Sequence, residues 1–514
     1  MGKGFVSYEE FGAVGDGVQD DMQAIADCHS YANAHCLPVR AKDGANYYIG
    51  GRAITAYIKT DTYWGTARFT IDDRAVEDRQ QNCFMVVPDG EIIPLDLKVL
   101  KKDMKTLDFP HTGTCYVSVE DENRRVYIRR GLNMDAGVSA ADRFLVDGDG
   151  NILNPINWEY ENITHAYAIS TEDTPITISG GVFLTIANEE PSFYNYYERN
   201  IRIQRSHVTL QNLTHYVKNE GEQGAPYKGF VSIKWASFVT VRDCIMTGHK
   251  TYYTPSRVPG KMVPMGSYDL LVNDSIWVKF QNIRQTTDIH DKEYWGIFCS
   301  NFCKELHLEK CVLSRFDAHY GVTNGSIRGC TLGHQGINLI GFGDFLVEDT
   351  TVTAQQFLSF RPDYGSFFRG RMRVKNCRWV PTLSMMRPMR IFYCENTGDH
   401  DFGYPCSLPE QIELELTVDD THLPQKDLFY VIFHEYDPGF AADKPYPYGT
   451  PKELKAKVVS IGRRKVELCQ NSNRFPYRKA YRCKFRFAEQ NAVGVLFVRL
   501  LQFCEHLLFF GTTP

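Results

Sequence analysis

The sequence holds no run of 18 apolar residues, so nothing in it is long enough to cross a bilayer as a helix. It has no excess of basic charge either. Its 57 Lys and Arg stand against 62 Asp and Glu, a net charge of −5. That argues against a general nucleic-acid binder, which would show a basic face. Its 15 cysteines are odd in number and scattered, with no CxxC pair, so no structural zinc signature is present. Neither a P-loop nor a dinucleotide fingerprint occurs, which argues against a nucleotide-dependent enzyme. The opening "MGKGFVSYEEFGAVGDG" contains no apolar signal core. The chain therefore reads as not visibly secreted, and its compartment stays open between the cytoplasm and a secreted protein lacking its leader. The Asn-x-Ser/Thr sequons at Asn162, Asn212, Asn273 and Asn324 then read as chance matches.

At 514 residues the chain is too long for one compact core unless its architecture is elongated or repetitive. A repeat is present between about 200 and 380. "VTLQNL" (208–213), "VTVRDC" (239–244), "VKFQNI" (278–283), "LHLEKC" (306–311), "GSIRGC" (325–330), "FLVEDT" (345–350) and "MRVKNC" (372–377) share one pattern. Apolar and polar residues alternate, a bend-forming residue follows, and the sixth position is small or apolar. No 3.6-residue periodicity separates the units, which disfavours a βαβ fold. The reading is a solenoid of short parallel strands, one coil per repeat, with Cys244, Cys311, Cys330 and Cys377 stacked inside as small buried thiols.

At the amino end, "FGAVGDGVQDDMQAIADCHSYANAH" opens on a Gly-rich turn, offers Asp20 as an N-cap, and continues as an amphipathic helix. Such a helix would close the open end of the solenoid. This start, with the Tyr-containing strand after it and the repeats beyond, resembles the pectate-lyase-like superfamily of right-handed parallel β-helix proteins. That superfamily includes polygalacturonase-type glycoside hydrolases, polysaccharide lyases, epimerases and phage tailspikes. The resemblance implies an all-β fold: a right-handed parallel β-helix with an N-terminal capping helix. Residues 85–165 break the pattern and read as an inserted β-rich subdomain, with "DLKVLKKDMKTLDF" helical or a linker and "TCYVSVEDENRRVYIRRGLNM" two strands. The organisation expected is residues 1–84 for the cap and first coils, 85–165 for the insert, 166–395 for the helix carrying the site, and 396–514 for a C-terminal antiparallel β domain.

Polar residues recur just beyond the strands. Lys218, His249, Asp288, Asp317, His334 and Gln355 fall four to six residues after successive sixth positions, so stacked coils should bring them into one column. Asp288 and Asp317, one coil apart, can lie within the roughly 5–9.5 Å used by glycosidase carboxylate pairs. One would be the acid, its pKa raised by burial or like charge, and the other the base or nucleophile. His319 would orient Asp317, and Asp363 is a reserve carboxylate. His249, Gln285, Asp291, Trp295, His334, Arg361 and Tyr364 are the substrate-binding candidates, Arg361 as a bidentate partner for a carboxylate or sulfate. The order "TTD" to Asp288, "FDAH" with Asp317, "GHQG" with His334 and "FRPD" with Arg361 is similar to that of polygalacturonase-type enzymes, without their Asp pair and Lys. The resulting expectation is a carbohydrate-active enzyme, first a glycoside hydrolase acting on a poly- or oligosaccharide without a cofactor. The rival is a lyase or epimerase using His319 as base and Arg361 as neutraliser, with Ca²⁺ in an acidic cluster. The third reading is a glycan-binding tailspike without catalysis. A homo-oligomer is compatible with each.

Overall fold

The computed structural model describes residues 4–383, 388–424, 428–433 and 448–468, and the backbone of 495–501. The chain folds as a right-handed parallel β-helix. Three parallel sheets run its length. The first includes Val208–Gln211, Ser237–Arg242, Ile276–Gln281 and 304–309. The second includes Thr214–Lys218, Ile245–Met246, Arg284–Gln285 and 312–313. The third includes Ile201–Ile203, Lys228–Lys234, Tyr268–Asn273 and 298–301. Strands Val312–Arg328 and Thr331–Glu348 each pass right round a coil without a loop. They coincide with the two closest spacings of the sequence repeat. Longer spacings insert loops at the corners.

The repeat's fifth and sixth positions form the corner between the first and second sheets. Asn212, Asp243, Asn282, Lys310, Gly329, Asp349 and Asn376 all take positive φ, from 48° to 59°. Asn and Asp tolerate this conformation better than most residues. They also bond between coils: Asn282 Nδ2 donates to Asp243 Oδ1 at 2.8 Å, and Asn376 Nδ2 to Asp349 Oδ1 at 2.6 Å. At the sixth position each thiol donates to the carbonyl two residues back, Cys244 to Arg242 at 3.1 Å and Cys311, Cys330 and Cys377 to their counterparts at 3.3 Å. Thr350 does the same with its hydroxyl at 2.8 Å. Cysteine therefore both fills the corner and satisfies a carbonyl there. Burial pushes the Cys244 and Cys377 thiols up to about 12, which keeps them protonated and inert. Replacing Asn282 by Ala forces a β-carbon residue without that bond into the left-handed region. The expected loss is about 1–2 kcal/mol, read from urea unfolding.

The capping helix is Met22–His35, with Asp21 rather than Asp20 as its N-cap residue. The Asp21 carboxylate turns back to accept Val14 N–H at 2.7 Å and Gly15 N–H at 3.1 Å, while Asp20 Oδ1 accepts Met22 N–H at 3.0 Å. Two adjacent aspartates thus divide the capping of the helix and of the Gly-rich turn.

The insert is a four-stranded antiparallel sheet of Ile92–Pro94, Cys115–Val126, Val138–Val146 and His165–Ser170. "DLKVLKKDMKTLDF" forms no helix, and the following segment gives one strand over Cys115–Val126 rather than two. The insert docks through Lys304, buried and 2.6 Å from Asp142, and through Tyr127, Trp158, Phe342, Phe367 and Tyr404 packed together.

The antiparallel C-terminal domain is corrected. Gln411–Val418 and Glu453–Ser460 pair in parallel as further rungs of the first sheet, and Tyr430–Phe433 and Val466–Glu467 extend the third. Among the described C-terminal strands, Val495–Leu501 alone runs antiparallel. The alternation in "QIELELTV" reflects a sheet with one face in the core and one in solvent, and a solenoid gives parallel strands that pattern too. The first half of "KPYPYGTP", residues 444–447, lies outside the described residues.

Candidate functional site

The corner between the second and third sheets holds the site. In "LSRFDAH", Phe316 and Ala318 enter the core, so Arg315 and Asp317 are forced to the opposite face. Asp317 is buried there. Arg315 Nη2 donates to its Oδ2, and Arg361 Nη1 donates to its Oδ1 at 2.7 Å. Register places Asp317 beside Asn338 and Asn338 beside Ser359, so Arg361 reaches back from two coils away. It can do so because the chain bends at Arg361, φ 52°, into the short 3-10 turn Pro362–Tyr364. Arg361 also grips Asp363 with two bonds, 3.0 and 2.8 Å, and Arg129 of the insert meets the same carboxylate at 2.8 Å. The result is a chain of alternating charge: Arg315, Asp317, Arg361, Asp363, Arg129.

Aromatic rings line this chain. The Arg315 guanidinium lies 4.9 Å from the ring of Trp295 and 6.0 Å from that of Tyr268. Arg361 and Arg129 lie 5.1 and 5.4 Å from Tyr364. The Tyr364 hydroxyl is 2.8 Å from His319 Nε2, and the Tyr320 ring lies 5.9 Å from that of Tyr364.

Electrostatics assign states to these groups. Burial raises the Asp317 carboxyl, but Arg315 and Arg361 overcome it and hold it below the usual range. Burial likewise raises Asp363, and Arg361 and Arg129 reverse it more strongly. Both are therefore carboxylates. Burial, helped by Arg361, pushes the His319 imidazole down to about 3, so it is neutral. Burial raises Tyr364, which keeps its proton.

The structure thus gathers Asp317, His319, Asp363, Trp295, Arg361 and Tyr364. It leaves the others apart. Asp288 is exposed, and its carboxylate accepts the N–H of His290 at 2.9 Å. Asp291 caps its own turn through Glu293 N–H at 3.0 Å. Asp288 and Asp317 share no hydrogen-bond partner among the described residues, and the raised carboxyl expected of one member of the pair is not found at Asp317. Gln285 accepts Ser314 N–H at 3.1 Å, tying two coils together. His334 Nε2 donates to the Tyr294 carbonyl at 2.9 Å and pins the 288–295 loop. Among the described residues no cluster of three or more His, Cys, Asp or Glu has a metal-binding arrangement.

His249 belongs to a separate buried network. Its Nε2 meets Asp269 at 3.0 Å and its Nδ1 meets Glu220 at 2.8 Å, while His215 Nδ1 contacts the other Asp269 oxygen at 2.8 Å. Burial lowers the His249 imidazole, yet Glu220 and Asp269 together push it up to about 10.

Arg315, Arg129, Tyr320 and Tyr268 are site residues that sequence reasoning missed. Arg315 was legible, two residues before Asp317 on the same strand face. Arg129 was not, because it arrives from an insert outside the coil register.

No protein-family model matches the chain, and no curated protein matches it. Among solved structures, the tailspike of Pseudomonas phage phi297 is 10% identical, with a TM-score of 0.45, over 97% of this chain and 96% of that one. The tailspike of Pseudomonas phage LKA1 is 13% identical, with a TM-score of 0.46, over 97% and 96%. PfbA, a surface adhesin of Streptococcus pneumoniae, is 12% identical, with a TM-score of 0.42, over 96% and 98%. These likenesses concern the course of the backbone alone.

Proposed function

We propose that the protein acts on an acidic polysaccharide by abstracting the proton beside a uronate carboxylate, as a lyase or epimerase does. A carbohydrate-acting protein fits the fold. The observation that carries the chemistry is the neutral His319, 2.8 Å from the Tyr364 hydroxyl and next to a chain of guanidiniums. With Nε2–H donating to Tyr364, Nδ1 keeps its lone pair and serves as the base. The substrate carboxylate lies against Arg361 and Arg129, whose charge stabilises the carbanion formed at C5. The electron pair then expels the C4 oxygen and leaves a C4–C5 double bond. Alternatively, C5 is reprotonated from the other face, giving the epimer. Tyr320, half-buried with its ring 4.4 Å from that of His319 and 5.9 Å from that of Tyr364, is the hydroxyl that returns a proton, to the departing C4 oxygen in a lyase or to C5 in an epimerase. Asp317 and Asp363 hold the guanidiniums in place. A hydrolase built on Asp317 has less support, since a carboxylate between two arginines has no proton to donate.

The test uses polyuronates of different sugar and linkage, following the ultraviolet absorbance of the new double bond and, for epimers, proton exchange at C5. His319→Ala is expected to lower kcat/KM by about 10²–10⁴-fold. Because His319 is already neutral, the acid limb of the pH profile should fall well below the ordinary histidine range. New reducing ends without absorbance, or full activity in His319→Ala, would sink this reading.

A further inference from the structure

The outer face of the first sheet carries a concavity, a groove of about 550 Å³, within the range of small-ligand sites. It lies on a different sheet from the guanidinium chain. Trp277, Glu305, His307, Asn324, Asp344 and Arg373 line it. Trp277, Glu305 and Asn324 head successive rungs at φ 56°, 53° and 55°. A bulky indole in the left-handed region is disfavoured by about 1–2 kcal/mol. Burial does not compensate here, because Trp277 is 42% exposed. The preceding rung shows the contrast. Phe238, φ 58°, stacks on His207 at 4.6 Å and packs with Tyr116 and Leu145 of the insert. Trp277 has the His307 ring beside it at 5.9 Å and presents its remaining surface to solvent.

The polar groups of the groove are joined across the coils. Glu305 Oε1 accepts Asn324 Nδ2 at 2.6 Å, and Asn324 Oδ1 accepts Asp344 N–H at 2.9 Å. Asp344 takes two bonds from Arg373, 2.9 and 2.8 Å. Burial raises the Glu305 carboxyl, moving it toward the form that can donate as well as accept. Lys279 and Glu309 neutralise each other at 2.7 Å along the same floor. The groove therefore offers a ring platform and paired, orientated hydrogen-bonding groups without a net charge for an ion. That combination suits the apolar face and hydroxyl rim of an uncharged sugar.

We propose that this groove is a second carbohydrate-binding site, taking a neutral oligosaccharide with one ring stacked on Trp277 and its hydroxyls bonded to Glu305, Asp344 and Arg373. The site stands independently of any chemistry at His319.

The full chain would be titrated with neutral hexasaccharides of glucose and of N-acetylglucosamine, followed by calorimetry and tryptophan fluorescence. Binding is expected to weaken at least tenfold in Trp277→Ala and to keep its affinity in His319→Ala. Trp277→Ala leaves the core intact, and far-ultraviolet circular dichroism verifies its fold. No heat or fluorescence change with any of these sugars would overturn the proposal. So would wild-type affinity in Trp277→Ala, or loss confined to His319→Ala, which would put the sugar at the guanidinium chain instead.

Discussion

Asp317→Ala is expected to destabilise the protein by about 3–5 kcal/mol, the usual result of removing one partner from a buried ion pair. Two guanidiniums depend on this carboxylate. Arg315 and Asp317 are both buried, and Arg361 is nearly so. Without Asp317, Arg315 loses its one ionic partner among the described residues and keeps only the faces of Trp295 and Tyr268. Arg361 retains Asp363. The loss therefore falls mainly on Arg315, and Asp317→Ala combined with Arg315→Met should recover part of it. Chemical unfolding of both variants beside wild type measures this. A change below 1 kcal/mol in Asp317→Ala would show that water reaches these groups freely. Lost activity in that variant would not by itself make Asp317 catalytic, since the guanidiniums it holds would move as well.

Asp269→Asn is expected to cost a similar amount, about 3–5 kcal/mol, with a defined pH dependence. Asp269 accepts from His215 and His249 and also from Thr247 N–H at 2.5 Å, all within the fold's interior. Burial raises its carboxyl, and the two imidazoles reverse this and hold it well below the usual range. A depressed carboxyl stabilises above its unfolded pKa, about 3.9, and that contribution fades as pH falls through the folded value. His249 behaves oppositely. Its folded value of about 10 stabilises fully below the unfolded pKa of about 6.5 and is lost as pH rises between them. The gap between wild type and Asp269→Asn should be widest between about pH 4 and 6.5, narrowing on either side. Unfolding midpoints across pH measure it. A gap that stays constant from neutrality to pH 10 would mean that His249 is not charged in the fold.

The corner residues show why the coil itself was readable. Asn212, Asp243, Asn282 and Asn376 sit where a positive φ is required, and Cys244, Cys311, Cys330 and Cys377 sit where a small donor is required. Both demands act within six residues, so they leave a repeated mark. Asp288 failed for the complementary reason. Its place was counted from the repeat, but the loop after Arg284–Gln285 uses its carboxylate to cap a local turn. A count gives the rung on which a residue lies and not the competing bond that claims it. The C-terminal strands were misassigned because an alternating strand looks the same whether its neighbour runs parallel or antiparallel.

What the sequence by itself determined is the winding: alternation along each strand, a left-handed residue at the corner, and a small one behind it, all properties of neighbouring residues. Only the tertiary structure decided which side chains meet outside the coil. Arg129 arrives from the insert, and Arg361 reaches back two coils to Asp317. Those contacts fix the charge states of Asp317 and His319, because a pKa answers to burial and to nearby charge, and neither is encoded at the residue's own position.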